Sequence, residues 1–509
     1  MIKLIWNSKR QMGWAVVLLS LLAAWLFQLE STALTPPMDS VEQMVWAQAL
    51  AWGYHKHPPL PTWLLWGWQQ VWGSGPGATA ALGALLTSAS LLLLAQLVRW
   101  VWGGQAALLA LLAATCVTFY NGRLHYYNHN TVLTLWVALS ACCAWQVLQT
   151  RAWRWWVALG VVAGLGLLTK YQYVMVLPAL AALLWRAGAW RERQTLWGVA
   201  LAAGVAALVF APHGVWLLQR AAADSAVGYA LHTAWPEGYA GRGGGFFVLH
   251  ACKWLADLLF NRCLPVGLFL ALAARPASRP DPTRTAKSAA GLSGTEFLLI
   301  WGLMPVLGIG LLGAVAHVDL QKQWGTAFAL GLVPVGMRLA GWPERSWRAR
   351  SPAWLLTGLL LIHGALLWHS YRTSAVGCCT KAWYWRNFDS PAIARALDAS
   401  VRAQTGWPVR ILVGSASVAG AVAMALPEHP KVLIDGQLSW SPWVSEPELQ
   451  AAGPGLVQLL SPGSSEPGEP LPEGWRWRIY EPATHGGHLP LRTERTDREE
   501  RRAWALSAP

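Results

Sequence analysis

The chain has 509 residues, of which 54% are hydrophobic and only 13% are charged. Soluble domains carry about a quarter charged residues, so this composition and the mean hydropathy of +0.33 exclude an ordinary soluble protein and indicate a polytopic membrane protein. The net charge of +14 would suit nucleic acid in a soluble chain, but in a membrane protein it predicts basic cytoplasmic loops and no nucleic-acid partner.

Apolar runs predict about eleven membrane helices in a lipid bilayer, the first retained because no small-residue cleavage site follows it. The runs cover residues 12–30, 78–98, 106–121, 131–148, 155–169, 172–186, 195–217, 246–273 (either continuous or broken), 294–316, 324–341 and 353–370. With the N-terminus inside, Lys and Arg concentrate in the cytoplasmic loops, as the positive-inside rule requires. An odd number of spans then places the C-terminal region outside.

The first external loop, residues 31–77, carries two carboxylates just after the first run. Asp39, Glu42, Gln43 and Trp46 fall at helical spacing and would share one face of a helix beginning near Asp39. Asp39 suits two interpretations: it caps a juxtamembrane helix, or it belongs to a functional site. The loop continues as Gly53-Tyr54-His55-Lys56-His57-Pro58-Pro59-Leu60, with a Lys between two His.

Three further external loops contain polar candidates. In the loop 121–130, Asn130 is a good N-cap for a helix starting near Thr131, although the density of aromatic and His side chains also suits a binding surface. Lys170 lies between two apolar runs, where snorkelling or an anion site would each explain it. Lys322, beside Trp324, is either an interfacial anchor or a phosphate ligand.

The segment 218–273 carries an unusual number of charges for a region beside a membrane span. Its loop holds Arg242 before Gly243-Gly244-Gly245, and this triple glycine indicates a mobile or closely approached backbone. Lys253 and Asp257 form an i,i+4 pair, which suits an interfacial helix or the wall of a cavity.

From about Tyr371 the composition changes to that of a soluble domain. Helical periodicity covers 390–405, and a strand (409–414), a helix (416–425) and a second strand (431–435) follow, which predicts a small external α/β domain. We therefore expect a transmembrane domain over 1–370 and a soluble α/β domain over 371–509. Cys378 and Cys379 lie on the external side, where they could pair with another Cys if that side is oxidising.

An outward-facing carboxylate beside Lys and His suits a reaction with a lipid-phosphate leaving group. A carboxylate can accept a proton from an attacking hydroxyl, and Lys or Arg can hold the phosphate and stabilise its developing charge.

The first loop resembles that of GT-C membrane glycosyltransferases of family 39, the dolichyl-phosphate-mannose–protein mannosyltransferase-like group, which also includes the aminoarabinose transferases acting on lipid A. The resemblance lies in Asp39 to Gln43, in Gly53 to Leu60, in Gly164 to Tyr171 and in Lys322-Gln323-Trp324. It implies a mainly α, polytopic GT-C fold and inverting transfer from a polyprenyl-phosphate sugar on the periplasmic face of a bacterial inner membrane.

The resemblance also implies residue roles. Asp39 matches the catalytic first-loop acid, and Glu42 lies three positions later rather than beside it. Candidate substrate-binding residues are Tyr54, Lys56, His57, Asn128, Asn130, Lys170, Arg242 and Lys322. Many relatives have Asp where this chain has Asn128 and Asn130, which leaves Asn to hydrogen-bond the sugar or the acceptor. No cofactor is established, and a divalent metal is left open.

Two other functional classes remain as alternatives. A transporter or flippase for a lipid-linked or polar solute would place polar residues inside the spans, in broken helices of matching halves. A noncatalytic scaffold would only present the α/β domain. The acceptor of an enzyme could be a glycan, a lipid or a protein.

Overall fold

The computed structural model describes residues 20, 24, 33–121, 126–220, 225–239, 241–275, 291–342, 348–349, 352–374, 376–379, 384–462, 464 and 466–480. The predicted first span over 12–30 (apart from two positions), most of the linker at 275–293 and the charged tail at 492–502 lie outside these residues.

Most of the described residues up to position 372 are helical. The helices are α1 (Met38–Trp46), α2 (Leu60–Trp72), α3 (Pro76–Trp102), α4 (Gly104–Ala114), α5 (Thr118–Asn121), α6 (His129–Thr150), α7 (Trp153–Leu167), α8 (Leu177–Arg186), α9 (Arg193–Leu218), α10 (Ala226–Ala234), α11 (Gly244–Ala256), α12 (Leu264–Ala273), α13 (Gly294–Val315), α14 (Thr326–Ala329), α15 (Leu332–Leu339) and α16 (Pro352–Arg372). Short 3-10 helices at Tyr171–Val176, Ala189–Arg191, Glu237–Tyr239 and Lys322–Gly325 connect several of them.

Five of the described helices are long and apolar enough to cross a membrane: α3 from Gly77, α6, α9, the continuous helix Gly244–Ala273, and α13. Several predicted runs are divided into shorter pieces. In the run 106–121 the regular helix ends at Ala114. There the Thr115 hydroxyl donates a 2.7 Å hydrogen bond to the Leu112 carbonyl. Such side-chain bonds compete with the backbone hydrogen bonds that continue a helix. The structure thus confirms a mainly helical fold with several spans, and the count of about eleven stays a prediction.

The run 246–273 is continuous rather than interrupted, because a π-helix over Asp257–Cys263 joins α11 to α12. This segment corrects the predicted Lys253–Asp257 pair. Asp257 pairs with Arg262 instead, with Arg262 Nε 3.3 Å from Asp257 Oδ2. The backbone hydrogen bonds of a π-helix join residues i and i+5 rather than i and i+4. Arg262, five residues after Asp257, therefore lies on the same face of the helix as Asp257.

The C-terminal part is an α/β unit. Its described elements are α17 (Ser390–Thr405), β3 (Ile411–Gly414), α18 (Val418–Ala425), β4 (Lys431–Ile434), α19 (Glu446–Ala451), β5 (Leu456–Leu460), β6 (Glu469–Pro470) and β7 (Arg476–Ile479), with 3-10 helices at Trp385–Asn387, Leu438–Trp440, Gly453–Gly455 and Pro472–Gly474. The sheet order is β4-β3-β5-β7-β6. β3 is parallel to β4 and to β5, whereas β7 is antiparallel to β5 and β6. A separate two-residue pairing joins β1 (Ala274–Arg275) to β2 (Arg348–Ala349).

The predicted strand–helix–strand order is confirmed, and the helix at 390–405 has the predicted bounds. The β5–β7 pair was not predicted. The hydrophobic core of the α/β unit includes Val41, Val45, Trp46 and Tyr54 of the first loop. The first loop is therefore packed between the α/β unit on one side and the helical part on the other.

Candidate active site

Helix α1 carries the two predicted catalytic carboxylates. It follows two prolines and has Asp39 in its first turn, where a negative charge complements the helix dipole. Pro37 occupies the N-cap position and makes no side-chain cap. Asp39 is exposed, and its carboxylate contacts the Asn128 side chain rather than the backbone at the start of α1. The capping interpretation of Asp39 therefore does not describe this helix.

Asn128 orients the Asp39 carboxylate. Its Nδ2 donates a 2.7 Å hydrogen bond to Asp39 Oδ2, across 89 positions of sequence. The Oδ1 atom of the same side chain accepts from the backbone N–H of Thr131 at 3.0 Å, so Asn128 is the N-cap of α6. The prediction that Asn130 caps this helix is wrong, because the helix begins two residues earlier than expected.

Glu42 has a different environment from Asp39. Its Oε1 lies 2.9 Å from Lys56 Nζ, and the two side chains are only 12% and 15% exposed. Lys56 also lies 5.7 Å from the centre of the Tyr229 ring. Two carboxylates in different surroundings can take different chemical roles. Here Asp39 is exposed, whereas Glu42 is largely buried in an ion pair with Lys56.

His57 and His129 form a ring pair at the centre of the group, with centroids 3.7 Å apart. Gln43 fixes His129: its Nε2 lies 3.1 Å from His129 Nε2, and its Oε1 accepts from Thr62 Oγ1 at 2.9 Å. Burial and then the nearby His129, Lys170 and Lys56 lower the pKa of His57 well below its ordinary value. His57 is therefore neutral at pH 7 and can donate or accept a hydrogen bond.

Lys170 joins this group from the turn between α7 and α8. Its Nζ donates a 2.9 Å hydrogen bond to Asn130 Oδ1, and Asn130 is buried at the start of α6. Lys56 and Lys170 both act electrostatically on His57. The structure therefore brings seven of the predicted residues into one cluster, the Asp39 group: Asp39, Glu42, Lys56, His57, Asn128, Asn130 and Lys170.

Lys322 is exposed at the first position of the 3-10 helix Lys322–Gly325. This turn is tied to the Lys170 segment, because Gln172 Nε2 donates to the Trp324 carbonyl at 2.8 Å. The two basic turns are therefore neighbours, and phosphate binding by Lys322 stays a prediction.

Tyr54 and Arg242 have other surroundings. Tyr54 is 1% exposed, donates its hydroxyl to the Ala49 carbonyl at 2.8 Å and stacks on Trp46 with centroids 5.7 Å apart. Its burial raises its pKa above the ordinary value. Arg242 is exposed and lies 5.2 Å from the centre of the Phe246 ring. Contact of either residue with a substrate stays a prediction.

His213, which was not among the predicted site residues, connects two parts of the site from within α9. Its Nδ1 lies 2.6 Å from the Trp52 carbonyl, which can only accept, so Nε2 accepts from the Tyr171 hydroxyl at 2.8 Å. The side chain is fully buried. A His next to Pro212 inside an otherwise apolar run was the available signal, because ionisable residues in a span are rare and mark functional or structural contacts.

Within the part of the chain that the structure describes, no group of three or more His, Cys, Asp or Glu side chains is placed to hold a metal ion. The chemistry that the Asp39 group can provide by itself is proton acceptance by an exposed carboxylate and anion binding by two lysines. The amide of Asn128 and the neutral imidazole of His57 add hydrogen bonding.

The chain is similar in sequence and in fold to several known proteins. Residues 56–216 match the family model of dolichyl-phosphate-mannose-protein mannosyltransferase. The chain is 29% identical over 265 residues to the undecaprenyl phosphate-alpha-4-amino-4-deoxy-L-arabinose arabinosyl transferase of Pseudomonas aeruginosa, a match that covers 50% of this chain and 45% of that protein. The chain thus spans about half the length of these arabinosyl transferases.

Two other relatives match over most of their length. The lipopolysaccharide core galacturonosyltransferase RgtA of Rhizobium johnstonii is 24% identical, over 82% of this chain and 81% of that protein. The structure of ArnT from Cupriavidus metallidurans bound to undecaprenyl phosphate superposes with a TM-score of 0.57 at 14% identity, covering 88% of this chain and 93% of that one. These matches show that the chain is similar to the dolichyl-phosphate-mannose-protein mannosyltransferase family and to the aminoarabinose transferases, and that it shares the fold of ArnT.

Proposed function

We propose that this protein is a membrane glycosyltransferase that moves a sugar from a polyprenyl-phosphate donor to an acceptor at the periplasmic surface, with inversion. The observation that carries the proposal is the exposed Asp39 carboxylate, oriented by Asn128 beside a cluster that contains Lys56 and Lys170. The family resemblance and the undecaprenyl-phosphate-linked substrate named for the arabinosyl transferases support this donor class.

In the proposed reaction an acceptor hydroxyl attacks the anomeric carbon, and its proton passes to Asp39. The new glycosidic bond forms as the bond from the anomeric carbon to the phosphate oxygen breaks, and the electron pair leaves with the polyprenyl phosphate. Asp39 suits the proton acceptor because its carboxylate is accessible, whereas Glu42 is engaged by Lys56. Glu42 then acts by holding Lys56 in position.

The departing phosphate needs positive partners, because its negative charge grows as the bond breaks. Lys56, Lys170 and Lys322 are the proposed partners, and Arg242 is a further candidate. Tyr54, His57, Asn128 and Asn130 are proposed to bind the sugar. The proposal leaves open whether the acceptor is a glycan, a lipid or a protein.

The same proposal assigns sides and domains. Residues 1–370 form the transmembrane GT-C domain, with a cytoplasmic N-terminus, and residues 371–509 form a periplasmic domain. The basic loops on one side support this orientation, since Lys and Arg favour the cytoplasmic side.

The direct test uses purified protein in proteoliposomes that contain polyprenyl-phosphate sugars together with envelope glycans, lipids or proteins as acceptors. Wild-type protein is expected to convert the donor to free polyprenyl phosphate with a glycosylated acceptor, and Asp39→Asn is expected to abolish this while remaining folded. Asp398→Asn makes the same chemical change in α17 and should keep full activity, because Asp398 pairs with Arg402 on the surface of the α/β unit. Wild-type rates for Asp39→Asn would refute the base, and lipid movement without sugar transfer would favour a flippase.

A further inference from the structure

We infer that the α/β unit positions the carboxylate-bearing helix α1, and that Gly420 is the positioning residue that allows this contact. The inference rests on the proposed function, because it makes the α/β unit part of the catalytic apparatus rather than a separate binding domain. It follows from the two faces of α1 and from the contacts along the stretch 35–55.

Helix α1 presents opposite faces to the two parts of the protein. At 3.6 residues per turn, Val41 and Val45 lie on the side of the helix opposite Asp39 and Gln43. Val41 and Val45 are buried in the core of the α/β unit. Asp39 and Gln43 instead contact Asn128 and His129, at the start of α6 in the helical part.

Gly420 makes the contact on the Val side. It lies in α18, and a Cβ atom built on it would be 2.6 Å from Val45 Cγ2 and 2.8 Å from Val41 Cγ1. Both separations are far below van der Waals contact between carbon atoms. A residue larger than glycine at position 420 therefore requires the Val41 and Val45 side chains, or helix α1 that carries them, to shift.

Further contacts join the chain segments before and after α1 to the α/β unit. Before the helix, Trp385 Nε1 donates to the Pro36 carbonyl at 2.6 Å, and Thr35 Oγ1 donates to the Phe388 carbonyl at 2.5 Å.

After the helix, the His55 ring stacks on Trp440, with centroids 4.7 Å apart and an interplanar angle of 6°. The backbone N–H of Val432 donates to Gln48 Oε1 at 3.3 Å.

The consequence is a site divided between two bodies. Asp39 and Glu42 lie on a helix whose Val41 and Val45 side chains are packed into the α/β unit, whereas Asn128, Asn130 and Lys170 belong to the helical part. A displacement at Gly420 is therefore transmitted to the Asp39–Asn128 hydrogen bond, although Gly420 itself touches neither residue. Because alignment of reacting groups can be worth about a hundredfold in rate for a displacement of about 1 Å, a small overlap at Gly420 has a measurable effect.

The experiment compares full-length Gly420→Ala with Gly364→Ala. The control makes the same change in α16, where a Cβ atom would meet nothing within 4 Å. In hydrogen-exchange mass spectrometry, Gly420→Ala is expected to speed amide exchange of peptides covering 38–46, and Gly364→Ala to leave it unchanged. In the transfer assay, Gly420→Ala should lower kcat by about tenfold or more, with little change in the KM for the lipid donor.

A relief variant and a reciprocal variant complete the test. Gly420→Ala with Val45→Ala removes the overlapping methyl groups and should partly restore exchange protection and kcat. Val45→Phe introduces the overlap from α1 without altering the α/β unit and should reproduce the Gly420→Ala result. Unchanged exchange at 38–46 in both overlapping variants, or no recovery in the double variant, would overturn the inference. Altered exchange in these variants, with a wild-type protein that transfers no sugar, would instead refute the proposed function and leave the positioning contact supported.

Discussion

Replacing Asn128 tests the proposed orientation of the catalytic acid. Asn128→Ala removes the amide that donates to Asp39 Oδ2 at 2.7 Å and the oxygen that caps α6 through Thr131 at 3.0 Å. Loss of an N-cap costs about 1 kcal/mol, and a hydrogen bond to a charged group contributes about 1.5–3 kcal/mol. Because Asp39 is exposed and water can replace the lost donor, the lower value applies, and the total is about 2.5 kcal/mol.

Asn128→Ser separates these two effects, because Ser is also a good N-cap but has no amide to donate to the carboxylate. We expect Asn128→Ala to lower both the melting temperature and kcat. Asn128→Ser should recover the cap contribution of about 1 kcal/mol, so its melting temperature should lie between those of Asn128→Ala and wild type, and it should still lower kcat by about tenfold, the equivalent of about 1.4 kcal/mol. Thermal unfolding in detergent and initial rates with the lipid donor provide the two measurements. A wild-type kcat for Asn128→Ser would refute the argument that this bond orients Asp39.

Three further outcomes are expected. Lys56→Met leaves Glu42 largely buried without its ion-pair partner and should lower the free energy of unfolding by about 3 kcal/mol. The double variant Lys56→Met with Glu42→Gln should recover part of this loss in thermal unfolding. If the single and double variants lose the same stability, the Lys56–Glu42 ion pair does not contribute as argued. Burial and the charge of Lys56 lower the pKa of His55 well below its ordinary value, so the unfolded chain binds the proton more readily and stability falls as pH drops below about 6.5. His55→Phe should reduce this pH dependence of the melting temperature. If the melting temperature of His55→Phe varies with pH as steeply as that of wild type, His55 is not its source. Cys378 and Cys379 have Sγ atoms 3.1 Å apart, so protein from an oxidising envelope should carry a disulfide between them, and intact-mass analysis that finds two alkylatable thiols there would contradict this.

The sequence alone determined the features that depend on near neighbours. Hydropathy indicated a membrane protein, and helical spacing predicted a helix near Asp39 whose shared face includes Glu42, Gln43 and Trp46. The structure has this helix, and the four side chains on that face all make contacts with the helical part or with the rest of the first loop. Strand–helix–strand order in the α/β unit was likewise encoded locally by apolar runs and turn residues.

Predictions that depended on exact local register were less successful. The N-cap of α6 is Asn128 rather than Asn130, because both residues are good caps and only the packed helix decides which one begins it. Asp257 pairs with Arg262 rather than Lys253, because a π-helix changes the spacing by one residue. Neither choice has a signal in composition or in regular helical periodicity.

Only the tertiary structure decided which distant segments meet. Asn128 reaches Asp39 across 89 positions, Lys170 reaches Asn130 across 40, and Gly420 lies against Val41 and Val45. Periodicity records which face of each element is buried, but it does not record what covers that face. The partner is selected by the packing of whole helices and of the α/β unit, where close contact and satisfied polar groups are decided together.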